Sequence, residues 1–268
     1  MAVTTSRVRR DGGHIAYEVR GEGPLVVLAH GMGETRASFR HLVPLLVAAG
    51  HRVASVDVRG HGESSVGWPT YAPVEVGADL LAVVRDLDAG PAVLVGSSSS
   101  AAAVVFAATA APDLVAGIVQ IGAFVNRSRP RPLARVARAA VLRSPRLFGM
   151  FHRTLFPVHR PADDTAYRRS VVTNLREPGR MAAARGVVAP AEPHWTALAP
   201  AVRQPVLVLM GAKDPDFRDP GAEARAARRF FRIAEARMIE ESGHYPHADR
   251  PQRTAEELLG FLAVCTGG

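Results

Sequence analysis

Ala92-Val93-Leu94-Val95-Gly96-Ser97-Ser98-Ser99-Ser100-Ala101-Ala102-Ala103 is the stretch on which the fold turns. Its first four residues form an apolar, β-branched run of the kind that makes a buried strand. The run stops at Gly96, passes through four serines and continues as an alanine-rich segment suited to a helix. A strand turning sharply into a helix, with small residues around a serine, presents a hydroxyl above a sheet as a nucleophile. By itself the stretch also reads as a serine-rich loop whose last hydroxyl caps the following helix. It matches G-x-S-x-S rather than G-x-S-x-G, so the decision falls to the rest of the chain.

The chain has 268 residues, 47% hydrophobic and 22% charged, enough for one large core and one inserted subdomain. A formal charge of +8 is carried almost wholly by arginine, Lys213 being the only lysine. No nucleic-acid module and no basic stripe interleaved with aromatics accompanies that charge, so nucleic acid is not an expected partner. A lone Cys265 excludes an intrachain disulfide and a cysteine-based zinc site. Met1 to Arg10 lacks an apolar signal segment, and Pro112 and Asp113 interrupt the long apolar stretch Ala101 to Val125. A cytoplasmic protein without a membrane span is expected.

Outward from the serines, apolar strands alternate with helical patterns. Strands are expected at His14–Val19, Pro24–Ala29, Arg52–Asp57, Val115–Ile121, Pro205–Met210 and Arg237–Glu240. Helices are expected at Ser38–Ala49, Val74–Leu87, Ser99–Ala111, Pro220–Phe231 and Pro251–Ala263. Strands buried on both faces and separated by helices imply a parallel, doubly wound sheet with its chemistry at the carboxyl ends of the strands. The alternation breaks between Ala123 and Pro200, which reads as several helices. The expected domains are therefore a core of residues 1–122 and 201–268, with a helical lid at 123–200.

Candidate groups stand after four strands: His30-Gly31-Met32-Gly33, Gly96 to Ser100, Gly211-Ala212-Lys213-Asp214-Pro215-Asp216 and Gly243-His244-Tyr245-Pro246-His247. Serine, aspartate and histidine in that order, together with Asp57-Val58-Arg59-Gly60-His61-Gly62-Glu63-Ser64, resemble the α/β-hydrolase superfamily over essentially the whole chain outside the lid. The resemblance implies the α/β-hydrolase fold, a mostly parallel eight-stranded sheet flanked by helices, with an inserted helical cap. It also implies an esterase-like site with Ser98 as nucleophile, His244 as base and Asp214 as its orienting acid. The backbone N–H groups of Met32 and Ser99 would form the oxyanion hole.

Each assignment has a rival. Ser98 has the small residues Gly96 and Ser100 two positions away on either side, whereas Ser97 would place Val95 in a small-residue position. Ser99 or Ser100 would carry the hydroxyl into the helix. Asp216 competes with Asp214, and His247 with His244, but the spacing from Gly211 and the G-H-x-P pattern favour the first of each pair. His30, His61, Asp57 and Arg59 read as loop scaffolding. Ser100 departs from the glycine usual there, a substitution also seen in the strigolactone-receptor-like branch.

In the lid, Phe148, Met150, Phe151, Phe156 and Trp195 are candidates for an apolar pocket over Ser98, or else form the lid's own core. Fourteen arginines between Arg127 and Arg185 face only Asp163, Asp164 and Glu177. They either solvate the lid or hold an anionic group of a substrate. No phosphate loop, dinucleotide fingerprint or metal-like spacing is present, so a site without cofactor or metal is expected. The expected activity is hydrolysis of an ester or related acyl bond of a small to medium, largely apolar metabolite by a monomer or homodimer. Cleavage of a carbon–carbon bond, a non-hydrolytic biosynthetic step and a slow ligand sensor are the alternatives.

Overall fold

The quoted stretch folds as a fully buried strand, β5 (Ala92–Ser97), followed by a helix, α3 (Ser100–Ala110). In this computed structural model, residues 5–125, 132–189 and 193–267 are described. Ahead of β5 come β1 (Thr5–Arg10), β2 (Gly13–Arg20), β3 (Leu25–Ala29), α1 (Val43–Ala48), β4 (Arg52–Val56) and α2 (Pro73–Leu87). After α3 come β6 (Val115–Ile121), then α4 (Pro132–Val141), α5 (Pro145–Thr154), α6 (Asp164–Leu175), α7 (Arg180–Gly186) and α8 (Trp195–Leu198). The chain closes with β7 (Val206–Gly211), α9 (Pro220–Arg228), β8 (Ala234–Ile239), α10 (Pro246–Asp249) and α11 (Pro251–Thr266).

The eight strands form one sheet in the order β1-β2-β4-β3-β5-β6-β7-β8. From β4 to β8 every pairing is parallel; β1 and β2 join antiparallel at one edge. Parallel strands are buried on both faces, which is why β3, β5 and β7 read as unbroken apolar runs. Their side chains alternate between two cores. Val27, Leu94, Ile118 and Val208 meet α2 and α3 on one face, where Leu80, Val83 and Val104 contribute. Val26, Val95, Val119 and Leu209 meet Leu46 of α1 and Leu258 and Leu262 of α11 on the other.

The topology itself indicates where a site belongs. After β3 the chain steps to one side to form β4, then returns past β3 to place β5 on its other side. That reversal opens a crevice at the carboxyl ends of β3 and β5, the place where open α/β sheets bind ligands. His30 and Ser98 stand at those two ends.

Two expected elements differ at their starts. The single helix Ser38–Ala49 is a 3-10 turn, Arg36–Phe39, followed by the short α1. Pro44 sits in the first turn of α1, where its missing N–H is tolerated, and so marks a helix start rather than an interior. Strand β8 begins at Ala234 rather than Arg237, because its Ala-Glu-Ala start pairs with Val206 to Val208 despite a weak apolar signal. Helices α4 to α8 fill the excursion between β6 and β7. No helix among the described residues is long and apolar enough to cross a membrane.

Candidate active site

Ser98 lies between β5 and α3 with φ 54°, one of three non-glycine residues in the left-handed region among those described. Such a conformation costs free energy and persists only where its surroundings impose it. Here its N–H donates to the Ile121 carbonyl oxygen at 2.7 Å, pinning the turn to the end of β6. Gly96 makes the sharp turn feasible, since a β-carbon there would overlap the Ser100 carbonyl oxygen. Ser100 itself fits: it is buried, and its hydroxyl donates to the His30 carbonyl oxygen at 2.6 Å. The residue that departs from the expected glycine thus ties α3 to the His30–Gly33 loop.

That loop faces the serine. A β-carbon at Gly31 would lie 3.0 Å from Ser98 Cβ and 3.6 Å from its Oγ. The backbone N–H groups of Met32 and Ser99 have no protein acceptor among the described residues. Two buried histidines shape the loop. His30 donates from Nδ1 to the Gly31 carbonyl oxygen at 2.7 Å and accepts the Val58 N–H at 3.0 Å. His61 accepts the Gly33 N–H at 3.1 Å and donates from Nδ1 to the Arg59 carbonyl oxygen. Burial pushes their pKa values down, to about 4 and about 3, so both rings are neutral scaffolding at pH 7. Asp57 accepts the backbone N–H groups of Arg36 and Glu63 at 2.7 and 2.9 Å, and Arg59 is held by Asp79 at 2.7 and 2.8 Å. These four residues act as the motif reading expected, through loop hydrogen bonds.

Asp214 and His244 meet from the loops after β7 and β8. His244 Nδ1 donates to Asp214 Oδ2 at 2.6 Å, and both side chains are fully buried. Asp214 Oδ1 accepts the Asp216 N–H at 3.0 Å, leaving the Asp216 carboxylate as the more distant partner, 3.8 Å from Nδ1. Burial opposes charge on His244, but Asp214 overcomes it through charge and hydrogen bond, with Asp216 and Glu34 adding, and the pKa rises to about 9. His244 Cε1 lies 3.1 Å from where a β-carbon of Gly122 would stand, one residue past the carbonyl that holds Ser98. Serine and histidine therefore flank the same end of β6. No hydrogen bond joins Ser98 Oγ to His244 among the described residues; such bonds often tighten only around substrate.

Asp214, Asp216 and His244 also offer three ligand atoms within 4.8 Å of one another. A metal would require Nδ1 without its proton, whereas Nδ1 here lies at hydrogen-bond distance, 2.6 Å, from Asp214 Oδ2. The geometry fits an oriented base better than a metal ligand set.

The pocket candidates scatter. Phe148 is buried against the His30–Gly33 loop, where its ring fills the space a Gly33 β-carbon would take. Phe156 packs on Tyr245, and Phe151 lies between Phe148 and that cluster. Trp195 stacks on Phe231 in the main core, and Met150 is 66% exposed. Beside His244 stand Tyr245 at 4.9 Å, Phe124, 6.0 Å away and partly exposed, and Phe217, which packs on Phe124 at 4.7 Å. Trp195 supports Phe124 from behind by donating Nε1–H to its carbonyl oxygen. Several arginines of the excursion serve the fold: Arg180 bonds Glu177 and the Ser64 carbonyl, and Arg185 bonds the Leu142 carbonyl. Arg127, Arg129 and Arg131 lie outside the described residues. Two clefts of about 900 and 500 Å³, lined by Arg59 and Trp68 and by Arg36 and Asp57, do not include Ser98 or His244.

Glu34, His152 and His247 were not legible as a group. Glu34 is buried one residue beyond the His30–Gly33 loop and accepts from His152 of α5 at 2.8 Å. Its other oxygen accepts from Ser38, whose hydroxyl in turn bonds His247 Nε2 at 2.9 Å. An acid directly after a glycine-rich strand-end loop was the one local signal.

The chain is 39% identical to Epoxide hydrolase B of Mycobacterium tuberculosis over 102 residues, which span 37% of this chain and 29% of that protein. It is 27% identical to Pyrrolizixenacetamide deacetylase of Xenorhabdus hominickii over 96% of this chain and 97% of that one. The structure of a thermophilic esterase from Thermogutta terrifontis superposes with a TM-score of 0.78 at 25% identity, covering 99% of both chains. Residues 26–257 match the model of the Alpha/beta hydrolase family, and the chain belongs to that family.

Proposed function

We propose that this protein is a serine hydrolase that cleaves an ester or related acyl bond of a small to medium, largely apolar metabolite through an acyl-enzyme on Ser98. The observation that carries the reading is the Ser98 backbone. A serine is held at φ 54° between a strand and a helix, with the His30–Gly33 loop against its side chain. Strain kept at one hydroxyl, next to a buried His–Asp pair, is what an activated nucleophile requires.

In this mechanism Ser98 Oγ attacks the acyl carbon as His244 Nε2 takes its proton. The Met32 and Ser99 N–H groups receive the negative charge that develops on the carbonyl oxygen. The imidazolium is stabilised by Asp214 and gives its proton to the leaving group as the acyl–oxygen bond breaks. Water, deprotonated by the same ring, then attacks the acyl-serine, and the proton returns to Oγ as the acid leaves. Phe124 and Phe217 supply the apolar wall beside the base, and helices α4 to α8 act as the cap.

Chemistry also separates this reading from epoxide opening. A serine that opened an epoxide would become an ether, with no carbonyl for water to attack, and would not be released. Acyl transfer regenerates the hydroxyl. Turnover of short p-nitrophenyl esters by wild type and Ser98→Ala tests the proposal. Hydrolysis abolished by the substitution is expected; undiminished turnover in the variant would refute it.

A further inference from the structure

Three consecutive buried positions of one face of α5 reach the two loops on which the proposed chemistry depends. Phe148, His152 and its C-terminal neighbour Leu155 follow the i, i+4, i+7 spacing and are all buried. Phe148 packs against Gly33. His152 Nε2–H donates to Glu34 Oε1 at 2.8 Å, on the stretch that carries the Met32 donor. The Leu155 carbonyl oxygen accepts the backbone N–H of His244 itself at 3.0 Å. Glu34 makes the second link: Ser38 bonds its other oxygen and passes the connection to His247, three residues after the base. The Tyr245 ring fills the middle, 5.7 Å from His152, 5.6 Å from His247 and 4.9 Å from His244.

We propose that Glu34 and His152 are positioning residues, fastening α5 to the oxyanion loop so that the donor at Met32 and the base at His244 keep a fixed relation. The inference rests on the serine-hydrolase reading. On it, α5 is not a flap that lifts to admit substrate but part of the catalytic frame.

Two physical arguments support this. A buried carboxylate is costly to desolvate, and an apolar pair of similar volume would hold a helix at least as well. What the hydrogen-bonded pair adds is direction, since its hydrogen bonds fix the orientation of both partners. Burial works against ionisation of Glu34, yet His152 and Ser38 hold its carboxyl down at about 2, so it is charged at working pH. That charge lies close enough to raise the His244 pKa, alongside Asp214 and Asp216; Tyr245 and His247 also face the ring.

The test uses Glu34→Gln, His152→Phe and the more conservative His152→Gln in the full chain. Circular dichroism and Tm establish that each variant is folded. For p-nitrophenyl acetate, Glu34→Gln and His152→Phe should lower kcat about tenfold with KM changed by less than about threefold, and His152→Gln should recover most of the loss. Independently of turnover, the downfield Nδ1 proton resonance of His244 should titrate at lower pH in Glu34→Gln, by about half a unit or more. That resonance separates the two readings. If no ester is cleaved by wild type yet the titration still moves, the hydrolase reading fails and the link from Glu34 to His244 stands. Folded Glu34→Gln and His152→Phe with unchanged kcat, or Glu34→Gln with an unshifted His244 titration, would overturn the inference.

Discussion

The pH dependence of the base can be worked from the geometry. His244 is enclosed, which by itself would keep it neutral, but Asp214 at 2.6 Å and Asp216 at 3.8 Å from Nδ1 reverse that effect and lift its pKa to about 9. A general base must be unprotonated, so only about one molecule in a hundred is competent at pH 7. The value of kcat/KM for a neutral p-nitrophenyl ester should rise about tenfold per pH unit up to about pH 9 and then level off. Asp214→Asn should move that limb down towards about 6.5 while lowering kcat about 10³- to 10⁴-fold, because the imidazolium and its tautomer are no longer held. Asp216→Asn should move the limb less. Stability follows the same linkage with opposite direction. A folded-state pKa raised from 6.5 to about 9 contributes about 3 kcal/mol below pH 6.5, and that contribution is lost as pH rises through 9. Thermal unfolding should therefore show Tm declining from pH 7 to pH 10 more steeply in wild type than in Asp214→Asn. An acid limb near 6.5 in wild type, unmoved by Asp214→Asn, would refute the argument that the two carboxylates set the base.

The elbow can be tested from both of its sides. Gly96→Ala places a methyl group on the Ser100 carbonyl oxygen and should destabilise the fold by about 1–3 kcal/mol or more, read by urea unfolding, with esterase activity lost in whatever folds. Ser100→Ala leaves the His30 carbonyl without its donor and should cost about 1–3 kcal/mol, with kcat reduced and KM little changed. Neutral stability in Ser100→Ala would show that this bond does not secure the loop.

How much of this was legible beforehand depends on the range over which each feature acts. The sheet was readable because β3, β5 and β7 are buried on both faces, so their apolar runs are local and unbroken. The Asp57–Ser64 and Gly243–Pro246 motifs were readable because part of each loop is satisfied within a few residues, as Ser64 Oγ donates to the Asp57 carbonyl and the Gly243 N–H to Asp249. The break between the turn at Arg36–Phe39 and α1 was missed because Ser38 looks like a helix cap. Its hydroxyl is instead spent on Glu34 and His247, the latter 209 residues away. Glu34 and His152 are 118 residues apart, and no local pattern records such a pairing. Apolar spacing in the excursion likewise could not say which face of α5 turns inward; Met150 is exposed while Phe148 and His152 are buried.

Of the four adjacent serines, Ser98 is the proposed nucleophile. Incubating the folded protein with a fluorophosphonate and mapping the adduct by mass spectrometry tests it most directly, because only a hydroxyl served by a base and an oxyanion site reacts rapidly. A single stoichiometric label on Ser98 is expected, absent in Ser98→Ala and strongly slowed in His244→Ala. A label on Ser97, Ser99 or Ser100, or no label in folded wild type, would contradict it.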